Sequence, residues 1–319
     1  MKRSVIFHNP NAGDSDHLPE DLVRMIKKQG YTCRYVSIKS EGWQNFDEKV
    51  DFLIAGGGDG CVRRVVEMLL HRTLMQPRFP LAILPLGTAN NFSKTLGIKT
   101  DLESAISSLK SAVSRKLDVG FLNGLTKHRA FFIEGTGLGV FPALMKKMKS
   151  QSISGLSTKE KIHHTLLVLE QIIEEFEPVP VVINADGIRY EGEFLMVEVL
   201  NTKSIGPNLL LASQADPGDG HLELVLVHEQ NRRELLDYIR GEISGTPGIF
   251  SCASQPVRTV KMLLPSTALH VDDQYVEFSG GKVNISLNTG ILDLLTPPMD
   301  VLEGTPGAYQ PRDMEKIRG

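Results

Sequence analysis

Four glycines and one aspartate follow directly on an apolar run in the segment Phe52–Gly60. Glycine permits positive φ angles and close approach to the backbone, so consecutive amides of such a turn can point at one anion. The helical pattern that starts at Cys61 would add the positive end of its dipole. A plain strand-to-helix turn needs only one glycine, and four cost conformational entropy. The segment therefore favours a phosphate-binding loop over a turn with an incidental acid.

Asp59 is the charged residue of this loop, and its carboxylate would repel a bound phosphate. The repulsion is removed if Asp59 binds a magnesium ion or accepts the proton of an incoming hydroxyl group, and both roles indicate phosphoryl transfer. Two other nucleotide-binding patterns do not compete, because the P-loop pattern is absent and Gly135–Gly139 lacks the dinucleotide spacing. We expect that second glycine cluster to serve close packing.

A second strand-and-loop pattern lies in Leu81–Phe92. Pro85 and Gly87 break the strand, and Thr88 and Asn90 are residue types that cap helices. Their hydroxyl and amide groups also suit phosphate or ribose. Taken alone, this loop is compatible with capping and with ligand binding.

The segment Asp216–His221 carries two carboxylates, three residues apart, on a Pro-Gly turn. Oxygen ligands in this arrangement suit a hard cation such as magnesium. A hydrated hairpin turn rich in aspartate fits the same residues. The sequence alone leaves both interpretations open.

A short helix with basic and apolar faces is predicted where Phe141, Leu144, Met145 and Met148 recur at helical spacing. Lysines 146, 147 and 149 fall on its other faces. Such a helix can lie on anionic lipid. Packing on the core with the lysines in water explains the same pattern and is the favoured interpretation.

Short apolar runs alternate with helical patterns over the first 120 residues, which is typical of βα units around a mostly parallel sheet. After about Lys116 a single helical pattern, Lys159–Glu175, precedes a series of β-rich runs. These runs are Val179–Asn184, Ile188–Leu200, His221–Val227, Val257–Leu264, Ala268–Val271, Lys282–Leu287 and Ile291–Leu295. Asp186-Gly187 and Gly280-Gly281 are predicted to close hairpins.

The change of pattern predicts two domains and a tail. We expect an α/β nucleotide-binding domain in residues 1–125 and a β-rich domain that holds the second substrate in residues 126–298. The remaining residues, 299–319, are predicted to form a tail that returns to the first domain.

Composition excludes several classes of protein. The 35 basic and 38 acidic residues give a net charge of −3 without runs of like charge, which argues against a dedicated nucleic-acid binder. Three widely spaced cysteines do not form a disulfide framework or a zinc motif. The N-terminal apolar run Val5–Phe7 is too short for a signal peptide, and no stretch approaches the roughly 18 apolar residues of a membrane span. We expect a cytoplasmic protein.

The two loops together resemble those of the diacylglycerol kinase catalytic-domain family, which includes bacterial lipid kinases and the sphingosine and ceramide kinases. The matching segments, in the family's order, are Asn9–Gly13, Gly57–Gly60, Pro85–Asn90, Asp219–Leu222 and Leu287–Pro297. The resemblance implies an N-terminal α/β domain like that of NAD kinases and a C-terminal β-sandwich. It also implies transfer of the γ-phosphate of ATP, with Mg²⁺, to a lipid hydroxyl such as that of diacylglycerol, at a membrane surface that the protein contacts peripherally.

The resemblance further implies roles for individual residues. Asp272 matches the aspartate of a short Asp-Gly-Glu turn in the family and is the expected proton acceptor, with Asp59 as the alternative. Magnesium is expected at Asp219, Asp216 and His221, the last two through backbone carbonyls. The residues expected to contact ATP are Asn9, Ser37, Gly57, Gly58, Asp59, Gly60, Cys61, Arg64, Gly87 and Thr88.

Some motif positions differ from the residues common in the family. The differing residues are Cys61, Arg63, Arg64, Asn91, Asp273 and Gln274, where the family commonly has Thr, Asn, Glu, Asp, Gly and Glu. Gln274 and Asn91 keep the shape of an acid without its charge, so a catalytically impaired nucleotide- or lipid-binding protein is one alternative. An NAD kinase-like enzyme is the other, since it shares the Gly-Gly-Asp-Gly loop.

Overall fold

The computed structural model describes residues 1–14, 17–73, 76–125, 130–151, 155–246, 248, 250 and 254–298. Its first part alternates strands and helices as the sequence predicts. These elements are β1 (Arg3–His8), α1 (Pro19–Lys28), β2 (Thr32–Ser37), β3 (Phe52–Gly57), α2 (Asp59–Leu70), β4 (Leu81–Pro85), α3 (Asn91–Thr95) and α4 (Leu102–Ser108).

Four parallel strands form the sheet of the α/β domain, in the order β2-β1-β3-β4. Every residue of β3 and β4 is buried, which explains why both are continuous apolar runs rather than alternating ones. Gly57 is in register with Pro85 at the carboxyl ends of these two strands. The two glycine-containing loops therefore leave the same edge of the sheet side by side.

The second part of the chain is rich in antiparallel strands. Its elements are β5 (Val113–Asn123), β6 (Ala130–Phe132), β7 (Gly135–Gly139), α5 (Val140–Lys149), α6 (Thr158–Glu175), β8 (Val179–Ala185), β9 (Ile188–Leu200), β10 (Ser204–Ile205), β11 (Leu209–Leu210), β12 (Leu222–His228), a 3-10 turn (Glu229–Asn231), α7 (Arg232–Ser244), β13 (Ser254–Val257), β14 (Thr259–Leu264), β15 (Thr267–Val271), β16 (Gln274–Phe278) and β17 (Gly281–Thr296). The predicted helix and most predicted strands are confirmed, whereas α7 and several strands, among them β5, β13 and β16, were not predicted. The fold is an α/β nucleotide-binding domain with a β-sandwich-like second domain, as expected.

Two predictions about strands are wrong. The runs Lys282–Leu287 and Ile291–Leu295 belong to one strand, β17, whose register shifts between Asn288 and Leu292 as in a β-bulge. Gly280-Gly281 does turn the chain, but β16 pairs with β15 whereas β17 pairs with β14, β5 and β4. The turn therefore joins strands that are not neighbours, in contrast to Asp186-Gly187, which closes the β8–β9 hairpin.

Strand β17 links the two domains. Its first half pairs with β14, and near its end Leu294 pairs in parallel with Leu81 of β4. Phe131, Ile133 and Leu294 pack in the hydrophobic core of the α/β domain, although the predicted boundary assigns them to the second domain. The return to the first domain thus occurs within β17, and the predicted tail, 299–319, lies outside the described residues.

The second glycine cluster forms β7 and serves close packing, as expected. A Cβ atom added at Gly137 would lie 2.3 Å from the carbonyl oxygen of Val197 and from Oε2 of Glu198. A Cβ at Gly139 would lie 2.1 Å from the carbonyl oxygen of Leu195. Glycine is therefore required for β7 to approach β9 this closely.

Candidate active site

The two predicted loops touch each other through their glycines. A Cβ atom added at Gly87 would lie 2.2 Å from Cα of Gly58, and one added at Gly58 would lie 3.0 Å from Cα of Gly87. The side chain of Asn90 fixes the second loop, since its Oδ1 accepts a hydrogen bond from the amide of Gly87 at 3.0 Å and its Nδ2 donates to the Pro85 carbonyl. The backbones of Gly58 and Gly87 are thus in direct contact, and we call this contact the seam. A side chain at Gly87 would force the two loops apart.

A cavity of about 340 Å³ opens on one side of the seam. Most residues expected to contact ATP line it: Asn9, Gly58, Gly60, Cys61, Arg64, Gly87 and Thr88. Ser37, Gly57 and Asp59 do not. The hydroxyl of Ser37 accepts a hydrogen bond from the Lys39 amide at 3.2 Å, and a Cβ at Gly57 would lie 2.5 Å from Cβ of Cys61, so Gly57 serves the packing of α2 on β3.

Two of the lining residues have side chains turned to other partners. The thiol of Cys61 lies 3.8 Å from the carbonyl oxygen of Phe7 and 3.6 Å from that of Gly56, and burial raises its pKa to about 12. The guanidinium of Arg64 lies over the ring of Trp43, 5.4 Å from its centroid. Cys61 is therefore a small buried donor within the fold rather than a replacement for an exposed threonine hydroxyl.

A larger cavity, of about 540 Å³, opens on the other side of the seam. Its apolar wall consists of Phe141, Leu144, Met145 and Met148 from α5, together with Ile205. Its polar end contains Asp59, Asn91, Glu134, His270, Asp272 and Asp273. The two cavities share Gly58, Gly60, Thr88 and Asp273, so they meet at the glycine seam.

Asp59 begins α2 and caps α3. Its two carboxylate oxygens each accept a hydrogen bond at 3.1 Å, from the amides of Asn91 and Phe92. Burial raises the pKa of Asp59, and these two amides act against that increase. The carboxylate joins the two loops, and it lines the larger cavity rather than the smaller one.

Backbone amides bind the carboxylate of Asp272. Its carboxylate accepts hydrogen bonds from the amides of Ile133, Glu134 and Gly135 at 2.8 to 3.2 Å, and Nε of Arg63 lies 3.2 Å from Oδ2. Burial raises the pKa of Asp272 to about 6, against the opposing effects of the Glu134 amide and Arg63. Because three amides and an ion pair already engage this carboxylate, the structure favours a structural role over the expected role of proton acceptor.

Behind Asp272 lies a fully buried acid–base pair. Nε2 of His270 lies 2.7 Å from Oε2 of Glu198, and Nδ1 of His270 lies 3.1 Å from the carbonyl oxygen of Asp272. A carbonyl only accepts, so Nδ1 carries a hydrogen and one further proton is shared between Nε2 and Oε2. Burial lowers the pKa of His270, but Glu198 and Asp272 outweigh it and the net change is upward.

Glu134 adds a second buried carboxyl group at the larger cavity. Burial raises its pKa well above the usual range, and the neighbouring charges of Asp59, Asp272 and Asp273 raise it further. A carboxyl group in these surroundings holds its proton at a pH where ordinary glutamates are ionised.

The expected magnesium turn lies apart from both cavities. Asp216 forms an ion pair with Arg115, while Oδ1 of Asp219 accepts the amide of His221 at 2.8 Å. Asp118, which no motif indicated, accepts the amides of Gly220 and Gly290 at 2.7 Å. Within the described ranges, no group of three or more His, Cys, Asp or Glu residues is placed to hold a metal ion.

The Arg115 guanidinium supplies positive charge beside the Asp216 side chain, whereas the expected magnesium ligands of Asp216 and His221 are backbone carbonyls, so the magnesium site stays a prediction. The side chain of Asp216 fixes the turn against β5, and that of Asp219 accepts the His221 amide within the turn.

Sequence reasoning missed two residues that line the larger cavity, Glu134 and His270, and two that contact its lining residues, Arg63 and Glu198. Arg63 appeared only as a departure from the family, although its side chain is only 6% exposed and its guanidinium pairs with Asp272 and lies 4.6 Å from the Phe131 ring centroid. Glu134, Glu198 and His270 belong to no motif. The available signal was an ionisable residue inside an apolar run, as Glu198 is in the second half of β9.

Helix α5 combines both predicted faces. Phe141 and Leu144 are buried in the core of the second domain, in agreement with the favoured interpretation, while Met145 and Met148 face the larger cavity. Lysines 146, 147 and 149 are exposed. Among the described helices, none is both long and apolar enough to cross a lipid bilayer.

Comparison with known proteins agrees with this architecture. A family model for the diacylglycerol kinase catalytic domain matches residues 3–122, and a model for the YegS C-terminal NAD kinase beta sandwich-like domain matches residues 149–248. The chain is 28% identical over 299 residues to a diacylglycerol kinase of Bacillus subtilis (strain 168), covering 90% of this chain and 87% of that protein. It is 27% identical over 302 residues to a diacylglycerol kinase of Staphylococcus aureus (strain MRSA252), covering 88% of each.

A solved structure, that of a diacylglycerol kinase from Bacillus anthracis str. Sterne, has the same fold. It aligns with a TM-score of 0.68 at 22% identity and covers 93% of this chain and 97% of its own. The two matched domains follow each other in the order that the sequence motifs predict. The chain thus contains a segment that matches the diacylglycerol kinase catalytic domain, followed by one that matches the YegS C-terminal NAD kinase beta sandwich-like domain, in agreement with the family that its motifs resemble.

Proposed function

We propose that the protein is a lipid kinase that transfers the γ-phosphate of ATP, bound as its magnesium complex, to the hydroxyl group of a lipid such as diacylglycerol. The observation that carries this proposal is the pair of cavities of different chemistry that meet at Gly58, Gly60 and Thr88. A polar cavity suits the nucleotide and an apolar one suits the lipid. The γ-phosphate would therefore pass from one cavity to the other at the seam.

The nucleotide side offers groups that suit a polyphosphate. Helix α2 begins next to Gly58, and no side chain caps its first turn, so amides and the positive end of the helix are directed at the seam. Lys39 and Arg64 line the same cavity and supply positive charge. Magnesium would arrive with ATP as part of the substrate, near Asp59 at the start of α2.

The lipid side offers an apolar wall with a polar end. Phe141, Leu144, Met145 and Met148 would contact an acyl chain, and the carboxylates at the polar end would face its hydroxyl. The exposed lysines of α5 would rest on the anionic headgroups of a membrane. This geometry supports a lipid acceptor better than a soluble dinucleotide, which has no use for so large an apolar wall.

Incubation with γ-labelled ATP, magnesium and mixed micelles tests the proposal. Each reaction would contain diacylglycerol, monoacylglycerol, phosphatidylglycerol, ceramide or sphingosine, with NAD offered separately as a soluble acceptor. Label in one lipid, and its loss in Asp59→Asn, would support the kinase and name its substrate. Label in NAD would favour an NAD kinase-like enzyme, and ATP binding without any labelled product would favour the catalytically impaired binding protein.

A further inference from the structure

Asp273 lies at the junction of the two cavities. It occupies the tight turn between β15 and β16, where Val271 is paired with Gln274. It lines both cavities, and every other residue that lines the smaller one comes from the α/β domain. A Cβ atom added at Gly60 would lie 2.5 Å from Oδ2 of Asp273. The second domain therefore presents this carboxylate directly to the first turn of α2.

The carboxylate of Asp273 is free. In the described part of the chain it takes part in no hydrogen bond and no ion pair, and the residue is exposed. The neighbouring Asp272 has a φ angle of 51°, and its side chain is turned into the protein, where Arg63 and backbone amides hold it. Of these two adjacent aspartates, Asp272 is thus buried and hydrogen-bonded, whereas Asp273 is exposed at the junction of the two cavities.

The other acidic groups near the seam are less suited to take a proton. Asp59 accepts the amides of two residues of the second loop, and Asp272 is clamped by three amides and a guanidinium. Glu134 is buried, and burial together with the neighbouring acids raises its pKa, which disfavours the ionised form that a proton acceptor needs. Gln274 has no carboxylate and lines neither cavity.

We propose that Asp273 is the proton acceptor of the phosphoryl transfer, an inference that rests on the lipid kinase proposed above. The lipid hydroxyl gives its proton to the Asp273 carboxylate while its oxygen forms a bond to the γ-phosphorus. The bond from that phosphorus to the β,γ-bridging oxygen breaks, and its electron pair leaves with ADP. The products are a lipid phosphate monoester and ADP, and Asp273 later releases its proton to water. The chain thereby carries its free carboxylate where the family that it resembles commonly has glycine.

Steady-state kinetics of four proteins test the assignment: wild type, Asp273→Asn, Asp273→Glu and the double variant Asp273→Asn with Gln274→Glu. General base catalysis contributes about 10²–10⁴-fold, so Asp273→Asn is expected to lower kcat at least about 100-fold. The KM for ATP and the melting temperature should stay close to wild type, because the side chain is exposed and unpaired. Asp273→Glu should keep part of the activity, whereas a carboxylate at position 274 should restore none.

Three outcomes would overturn the assignment. An active wild type with an equally active Asp273→Asn variant overturns the role of Asp273 alone. Full wild-type activity in the double variant would show that a carboxylate at position 274 reaches the lipid hydroxyl equally well, which contradicts the geometric basis of the assignment. A wild type that binds ATP and labels no lipid overturns the proposed lipid kinase and this inference with it, so the two failures are distinguishable.

Discussion

Gly87→Ala should separate the two loops that form the seam. The added Cβ would lie 2.2 Å from Cα of Gly58 and 2.8 Å from its nitrogen, whereas non-bonded carbon atoms in contact lie about 3.5–4.0 Å apart. The added Cβ would thus be roughly 1.3 Å too close to the backbone of Gly58, and no side-chain rotation relieves this overlap. Gly87 is not among the residues with positive φ, and alanine therefore adds no backbone strain of its own.

The expected magnitude follows from this displacement. Shifts of about 1 Å at a reacting centre cost on the order of 10²-fold, and overpacking costs about 1–3 kcal/mol of stability. We therefore expect Gly87→Ala to weaken ATP binding about 100-fold. Gly58→Ala, whose Cβ would approach Gly87 only to 3.0 Å, should have a smaller effect. Gly248→Ala is the matched control, because no atom of the described residues lies within 4 Å of its added Cβ.

Titration of each variant with a fluorescent ATP analogue, combined with a thermal melt, measures both effects. The predicted order of affinity is wild type equal to Gly248→Ala, then Gly58→Ala, then Gly87→Ala. Wild-type affinity in Gly87→Ala would refute the claim that close backbone contact between the loops builds the nucleotide site. Equal losses in all three variants would refute it as well, since the control has no neighbour to displace.

Arg63→Ala should lower the free energy of unfolding, measured by urea denaturation, by about 3–5 kcal/mol, because it leaves the buried Asp272 carboxylate without its ion-pair partner at 3.2 Å. A loss below about 1 kcal/mol, the value of an exposed ion pair, would contradict that role of Arg63. Glu134→Gln should flatten the pH dependence of stability: the folded-state pKa of Glu134 is raised, so the wild type loses stability as pH rises from about 4.3 through that raised pKa, and the variant lacks this loss. Equal slopes of unfolding free energy against pH in the two proteins would count against it. Combined Lys146→Glu and Lys147→Glu should reduce sedimentation with phosphatidylglycerol vesicles, at about 1 kcal/mol per lysine and less at high salt. Unchanged sedimentation would contradict a contact between α5 and the membrane.

The glycine loops could be predicted because their signals are local. Buried parallel strands read as continuous apolar runs, and the residues that follow β3 and β4 must emerge at one edge of the sheet. That rule alone brings Gly58 and Gly87 together. The closeness of their contact could not be predicted, since it depends on the exact twist and separation of two strands.

The roles of the acidic residues could not be predicted from their motifs. Asp272 matches the family turn, but Arg63 and the amides of Ile133–Gly135 come from distant segments and occupy its carboxylate. Asp216 likewise meets Arg115, about a hundred residues earlier in the chain. A motif shows which group is present, whereas the partners that neutralise the group are set by tertiary packing.

The turn residues also allowed only part of the structure to be predicted. Gly280 and Gly281 have φ angles of 96° and 131°, so the chain does reverse there. Glycine pairs permit a reversal, but they do not specify that the flanking strands become hydrogen-bonded neighbours. β17 instead continues past the second domain to pair with β4, which a local pattern cannot indicate.

A crystal structure of the protein with a non-hydrolysable ATP analogue, magnesium and a diacylglycerol tests the two-cavity arrangement most directly. We predict the nucleotide in the smaller cavity, with its γ-phosphate against Gly58, Gly60 and Thr88, and the lipid along α5 with its hydroxyl at the seam. A nucleotide bound in the apolar cavity, or a lipid hydroxyl separated from the γ-phosphate by the glycine loops, would contradict the proposed phosphoryl transfer.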